Sequence, residues 1–235
     1  MAAKTGLTRL SAVAGDRLPW KGKREPEHAA PRRNAGKTRE AILKAAKAEF
    51  CGHGFNGARM ERIALRSKSN MRMIYHYFKS KEGLYLKCLE DIYLKVRTEE
   101  GLLDLKHEPP VEGMAKLVEF TFRHLLNNPY FVRMIMNENL LHARYLRRSE
   151  LVPALTLHLV AALTDLLKRG ESAGVFRKGV DPVQLYITIL AVTNIHLSNR
   201  YTLSTMFQID LADPAWLEAR CEHARAVILG YLRPD

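Results

Sequence analysis

Cysteine is nearly absent, with three residues in 235, at positions 51, 88 and 221. They are too few and too scattered for a disulfide scaffold or a zinc cluster. Glycine (14) and proline (10) are also scarce, while the hydrophobic share is an ordinary 47%. A collagen-like or disordered chain is therefore excluded. No stretch approaches the roughly 18 uncharged apolar residues of a membrane span. The best, residues 151–167, is interrupted by Pro153, His158 and Asp165. The apolar stretch at 10–14 is too short for a secretory leader. These absences point to a cytoplasmic protein with reduced thiols, no membrane partner and no cofactor. The length suits one or two domains with a real core.

Acidic residues are lacking in one region only. Residues 1–35 hold eight Lys/Arg against three Asp/Glu, and residues 36–83 hold eleven against four. The remaining 152 residues are balanced at eighteen of each, so the whole net charge of +12 lies in the first third. A basic segment on a neutral body suggests a module that binds a polyanion, nucleic acid before acidic lipid.

Catalytic patterns are missing too. The nine histidines are scattered, and neither HExxH nor GxSxG occurs. Gly52-His53-Gly54-Phe55-Asn56-Gly57 is a literal GxGxxG, but it follows an alanine-rich helical pattern and no strand. Its glycines read as a helix stop and turn. Gly36-Lys37-Thr38 resembles the end of a phosphate-binding loop, yet Pro31 stands where the leading glycine should be. No enzyme is indicated.

What is present is helical periodicity. Residues 1–35 lack it and read as a flexible basic arm. Then Ile42, Ala46 and Phe50 fall on one face, with Gly52 and Gly54 expected to stop that helix. A short segment at 58–66 places Met60, Ile63 and Ala64 together. After Ser67-Lys68-Ser69, Asn70 is positioned to cap a second short helix, Met71–Phe78, with Phe78 in the core. Ser80 caps a longer one with the stripe Tyr85, Leu89, Ile92 and Val96. Asn128-Pro129, Asp181-Pro182 and Asp213-Pro214 each combine a capping side chain with proline at the first helical position. No extended period-two alternation occurs. The fold class is all-α, with about nine helices.

Two short helices joined by about four residues, the second with a polar cap, match a helix-turn-helix. The second must offer an exposed N-terminal tip to DNA, here Asn70, Met71, Arg72 and Met73. Tyr75, His76, Tyr77, Lys79 and Lys81 suit phosphate contact, and the Ser80-capped helix presents free N–H groups. Lys68 and Ser69 in the turn complete the candidate DNA-binding set.

Residues 37–83 resemble the DNA-binding domain of the TetR/AcrR family of bacterial transcriptional repressors. The likeness rests on Thr38-Arg39-Glu40-Ala41-Ile42-Leu43, Ala45-Ala46 and Phe50, then Gly54-Phe55, Met60 and Ile63-Ala64. It is most specific in Ile74-Tyr75-His76-Tyr77-Phe78 followed by Lys79-Ser80-Lys81-Glu82-Gly83-Leu84. The resemblance implies an all-helical homodimer that binds a palindromic double-stranded DNA operator. It also implies release by a small-molecule effector in the C-terminal domain. The sequence departs from the family pattern in the turn, where Ser67-Lys68-Ser69 replaces a small-Gly-apolar triplet. Arg72 also stands where a small residue is usual, which suggests an unusual operator.

The expected organisation is an arm at 1–35, a helix-turn-helix domain at 36–83 and an effector-binding and dimerisation domain at 84–235. An effector site would draw on Phe120, Phe131, Met134, Met136 and Tyr145, oriented by Asn137, Asn194 or His196. A dimer interface would draw on Leu155, Leu159, Ala162 and Leu166 of one helix and Leu185, Ile189 and Val192 of another, forming a four-helix bundle. The alternatives are a nucleoid-associated or division-linked DNA binder whose C-terminal domain only dimerises, and an enzyme or membrane-peripheral protein anchored through residues 1–83.

Overall fold

The computed structural model describes residues 32–234, among which there are ten α-helices and no strand. Helix α1 (Arg32–Gly57) begins inside the segment read as an arm, so residues 32–35 are helical; residues 1–31 lie outside the described residues. Ile42, Leu43, Ala46 and Phe50 are buried along one face of α1, as their spacing requires. The helix does not stop at Gly52. It breaks at Gly54, whose φ of 62° is open to glycine at little steric cost.

The short helices α2 (Met60–Ser67) and α3 (Met71–Phe78) follow, then α4 (Lys81–Glu100). The caps read from the sequence are present. The Asn70 side chain accepts from the Met73 N–H at 2.8 Å and the Ser80 hydroxyl from the Gly83 N–H at 3.0 Å. Tyr85, Leu89, Ile92 and Val96 are all buried.

The C-terminal part comprises α5 (Pro110–Asn127), α6 (Pro129–Leu140), α7 (Leu151–Ser172), α8 (Pro182–Ser198), α9 (Arg200–Phe207) and α10 (Pro214–Leu232). Asp181 and Asp213 cap α8 and α10, accepting from the Gln184 and Trp216 N–H groups at 2.7 and 2.8 Å. Asn128 does not cap α6. Its side chain donates to the His124 carbonyl and accepts from Lys95. The expected nine helices become ten because α9 buries none of its residues and so carries no core-facing stripe to read. Helix α7 is the one helix among the described residues whose length and composition would allow it to cross a membrane, a property that core helices share. Its Leu159, Leu163, Leu166 and Leu167 are buried.

Two cores organise the chain. The first gathers α1 to α4 around Phe50, Ile63, Ile74 and Tyr85, and takes in Met134 and Tyr145 from the C-terminal part. The second joins α5, α7, α8 and α10 through Met114, Leu117, Leu166, Ile189 and Ile228.

Candidate functional site: helix-turn-helix and helical cavity

The turn between α2 and α3 is tight for a chemical reason. Lys68 is left-handed, at φ 52° and ψ 33°, and the Ser69 N–H donates to the Ala64 carbonyl at 3.0 Å. A lysine there forgoes the freedom of glycine at a cost of about 1 kcal/mol. Ile74 and Phe78 turn inward, leaving Lys68, Asn70, Arg72, Tyr75, His76 and Lys79 exposed. Ser69, Met71, Met73, Tyr77 and Lys81 are half-buried, with Met71 and Tyr77 packed against the core. Tyr75 is on the surface, 43% exposed, where a phenol can reach a phosphate. Helix α3 carries no acidic residue. The Lys81 ammonium lies 4.8 Å from the Phe55 ring centroid. At the start of α4, a Cβ on Gly83 would sit 2.2 Å from the Phe78 carbonyl oxygen, so only glycine fits where α4 meets α3.

The orientation of α2 depends on a carboxylate that the sequence reading did not single out. Glu49, fully buried on α1, accepts from Arg62 Nε at 2.6 Å and from the Arg59 N–H at 3.1 Å. Arg66 adds an ion pair at 3.2 Å. Burial opposes ionisation of Glu49. The hydrogen bonds from Arg62 and Arg59, with the charges of Arg62 and His53, outweigh it and hold the carboxyl below its usual range. The signal was an acid in the otherwise apolar face of an amphipathic helix.

In the C-terminal domain a cavity of about 170 Å³ lies between α4, α5, α6 and α8. Its lining includes Phe131, Met136 and Asn194, as expected, with Tyr93, Arg97, Glu100, His124, Asn139 and Tyr186 in addition. A larger cleft of about 400 Å³ shares the Arg97 and Glu100 wall and extends to Asp104, Lys106 and His158.

Five expected residues stand elsewhere. Phe120 lies beside the His124 ring and outside the cavity lining. Met134 and Tyr145 are buried in the first core. Asn137 donates to the Phe50 carbonyl at 3.2 Å. His196 is buried and stacks on Phe122 at 5.0 Å. Burial, with Arg220 nearby, pushes its pKa down to about 4, the behaviour of a neutral core imidazole.

The division follows the helical period of α6. Phe131, Val132, Ile135, Met136 and Asn139 face the cavity, while Met134, Asn137 and Glu138 face the DNA-binding domain or the segment after α6. Tyr93, Arg97 and Glu100 share a side of α4 at helical spacing. Two charged residues beside its apolar stripe were the clue to them.

Comparison with known proteins agrees with this geometry. Residues 42–88 match the family described as bacterial regulatory proteins, tetR family. Residues 110–228 match the tetracyclin repressor-like C-terminal domain. The HTH-type transcriptional repressor NicS of Pseudomonas putida is 37% identical over 179 residues, covering 76% of this chain and 84% of that protein.

This chain belongs to the TetR family.

The HTH-type transcriptional regulator RutR of Escherichia coli K12 is 25% identical, covering 83% of this chain and 91% of RutR. Among solved structures, a TetR transcriptional regulator from Chloroflexus aurantiacus superposes with a TM-score of 0.64 at 20% identity, covering 86% and 98% of the two chains. The protein is thus a DNA-binding transcriptional regulator with an N-terminal helix-turn-helix and a helical C-terminal domain.

The residues expected at a dimer interface of this TetR regulator need correction. Leu159, Leu166, Leu185 and Ile189 are buried in the chain's own core, and Leu155 and Val192 are half-buried. Only Ala162 of that set is exposed. Both stripes are apolar; their buried members face the chain's own core, while Leu155, Ala162 and Val192 reach the surface. The outward apolar face of α8 is Val183, Ile187, Ala191 and Ile195, one helical step away.

Proposed function

We propose that two copies of this regulator bind a palindromic operator through their α3 helices, and that a small molecule in the α4–α5–α6–α8 cavity releases them. The observation that carries this reading is the double duty of α6. One of its faces lines the cavity, and the other meets α1 through the hydrogen bond from Asn137 to the Phe50 carbonyl. Around that contact Phe55 packs on Tyr145 at 4.4 Å and Phe50 on Tyr85 at 4.9 Å. A ligand that shifts α6 would therefore move the DNA-binding domain, changing the separation of two recognition helices that must match half-sites about 34 Å apart. A cavity walled by four helices also favours this reading over a DNA binder whose C-terminal domain only dimerises.

The dimer would form on the exposed stripe Val183, Ile187, Ala191 and Ile195 of α8. Helix α10 packs beside α8 and exposes Val227 and Tyr231, and the apolar surface continues along the chain into Tyr201, Met206 and Phe207 of α9. Four isologous helices would make a bundle. Helix α7 is the weaker candidate, since its exposed Leu157 is accompanied by His158, Asp165 and Lys168.

Arg72 is the residue assigned to base reading, because it is exposed on the α3 tip and its guanidinium can pair bidentately with guanine. The test is to recover bound genomic fragments, extract their shared palindrome and compare wild type with Arg72→Ala. Operator binding should weaken by about 1–3 kcal/mol, with preference relaxed at one position per half-site. Equal loss on operator and random duplex would refute the assignment.

A further inference from the structure

Between Glu138 and Glu150 the chain holds three arginines, Arg144, Arg147 and Arg148, and no acid. The overall neutrality of the C-terminal part conceals this local excess. All three residues are exposed. No ion pair among the described residues holds any of them, and Arg144 lies over the Tyr145 ring at 5.7 Å.

The backbone that carries them is fixed. The buried Glu138 carboxylate accepts from the Tyr145 and Leu146 N–H groups at 2.7 and 2.8 Å, and the Glu138 carbonyl accepts from the Ala143 N–H at 2.9 Å. Tyr145 is buried in the first core, and the buried Ser149 hydroxyl donates to Glu90 at 2.9 Å. The turn also needs two successive left-handed residues, His142 and Ala143, both at φ 55°, where a side chain costs energy. A segment anchored in this way has little backbone freedom left to lose on binding.

This segment sits against the DNA-binding domain. At the start of α4 the Lys81 ammonium lies 4.8 Å from the Phe55 ring centroid, and Phe55 packs on Tyr145 at 4.4 Å. Only that aromatic pair separates Lys81 from Arg144. The turn Leu146–Arg148 packs against α4. Hydrogen bonds from its own N–H and from the Ser80 hydroxyl hold the Glu82 carboxyl below its usual range, and the charges of Lys81 and Arg148 add to them. Arg148 therefore acts on the first turn of α4. The acids nearby do not cancel the arginines. Glu138 is occupied by backbone N–H groups, and Glu90 pairs with Lys87 at 2.6 Å. Exposed Glu82 and Glu150 remain, against Lys81 and the three arginines.

A fixed cationic surface continuous with the start of α4 suits a polyanion that already lies along α4. Resting on the reading that Lys81 and α3 face the duplex, we propose that Arg144, Arg147 and Arg148 form a second phosphate-binding surface, which holds the DNA backbone flanking each half-site. This surface adds affinity and salt dependence without reading sequence.

The test uses the full-length protein and a random-sequence duplex of about 40 base pairs, several helical turns long. Fluorescence anisotropy follows binding between about 0.05 and 0.2 M salt. In the double variant Arg147→Ala, Arg148→Ala the plot of log affinity against log salt should become shallower by roughly 1.8, or 0.9 for each lost phosphate contact. Affinity at about 0.1 M salt should fall roughly tenfold or more. Lysine at both positions keeps the charge and should restore most of the slope. Lys168→Ala with Lys178→Ala removes the same charge from exposed sites around the second core and should leave the slope unchanged. A wild-type slope in the arginine variant overturns the proposal, as does an equal change in the lysine control, since net charge alone would then be acting. Lys81→Ala separates this surface from the reading it rests on. A shallower slope there with none in the arginine variant removes the second surface alone, and no change in either removes both. Vesicles of phosphatidylserine and phosphatidylcholine supply the remaining arm. Wild-type binding to them that the arginine variant loses, with its DNA slope unchanged, would assign the arginines to acidic lipid and overturn the proposal.

Discussion

Replacing Glu49 by glutamine keeps the volume of the side chain and removes its charge, which isolates the clamp between α1 and α2. The carboxylate is wholly buried and holds Arg62, Arg66 and the Arg59 N–H. Breaking a buried ion pair by removing one partner typically costs about 3–5 kcal/mol. That range is too high here, because the Arg62 and Arg66 side chains are 36% and 49% exposed and their charges remain in contact with water. Glutamine also still accepts from the Arg59 N–H. What is lost is a charge-assisted hydrogen bond and the weaker second pairing, so the expected cost is about 2 kcal/mol. In a chain of this size that lowers the melting temperature by roughly 4–8 °C. The pH dependence provides an independent check. A carboxyl held below its usual range in the folded state contributes stability that is complete above the unfolded value and is lost as pH falls through the folded one. The difference between wild type and Glu49→Gln should therefore shrink in acid. Urea unfolding followed by circular dichroism, near neutral pH and at about pH 3, measures both quantities. A variant as stable as wild type at neutral pH, or a difference that persists in acid, would refute the clamp.

Lys68→Gly should raise stability by up to about 1 kcal/mol, because the left-handed turn no longer strains a side chain; thermal unfolding checks this, and a loss of stability would contradict the turn argument. Ile187→Asp places a charge at the centre of the exposed α8 stripe; if that stripe is the proposed dimer interface, sedimentation should show dimers for wild type and monomers for the variant. Operator affinity should fall with it, and an unchanged dimer would move the interface elsewhere. Deleting residues 1–31, which carry the basic charges Lys21, Lys23 and Arg24, should make the plot of log affinity against log salt shallower by roughly 0.9 per lost phosphate contact. An unchanged slope would mean that this segment does not touch DNA, and a lost sequence preference that it reads bases.

The DNA-binding half was legible in the sequence because its determinants are local. A capping side chain and an apolar period of 3.6 specify a helix within about ten residues. The α3 bounds, its Asn70 cap, the burial of Phe78 and the stripe on α4 all follow from neighbours in the chain. The charge asymmetry located the same module without any structural information. Where local rules compete, the sequence was ambiguous: Asn128 had the form of a cap, yet Lys95 and the His124 carbonyl claim its side chain. The cavity and the outward faces belong to tertiary structure. Periodicity shows that α8 is apolar on nearly every side, but which side meets α5 and which meets solvent depends on how the helices pack, so Ile189 is core and Ile187 is surface. In the same way α6 was plainly helical, while its split between a cavity wall and a contact with α1 required both neighbours to be in place. Arg97 and Glu100 lie three residues apart and could be read as an ordinary surface pair. Only the helices packed over them make the pair a buried polar wall that gives the cavity its chemistry.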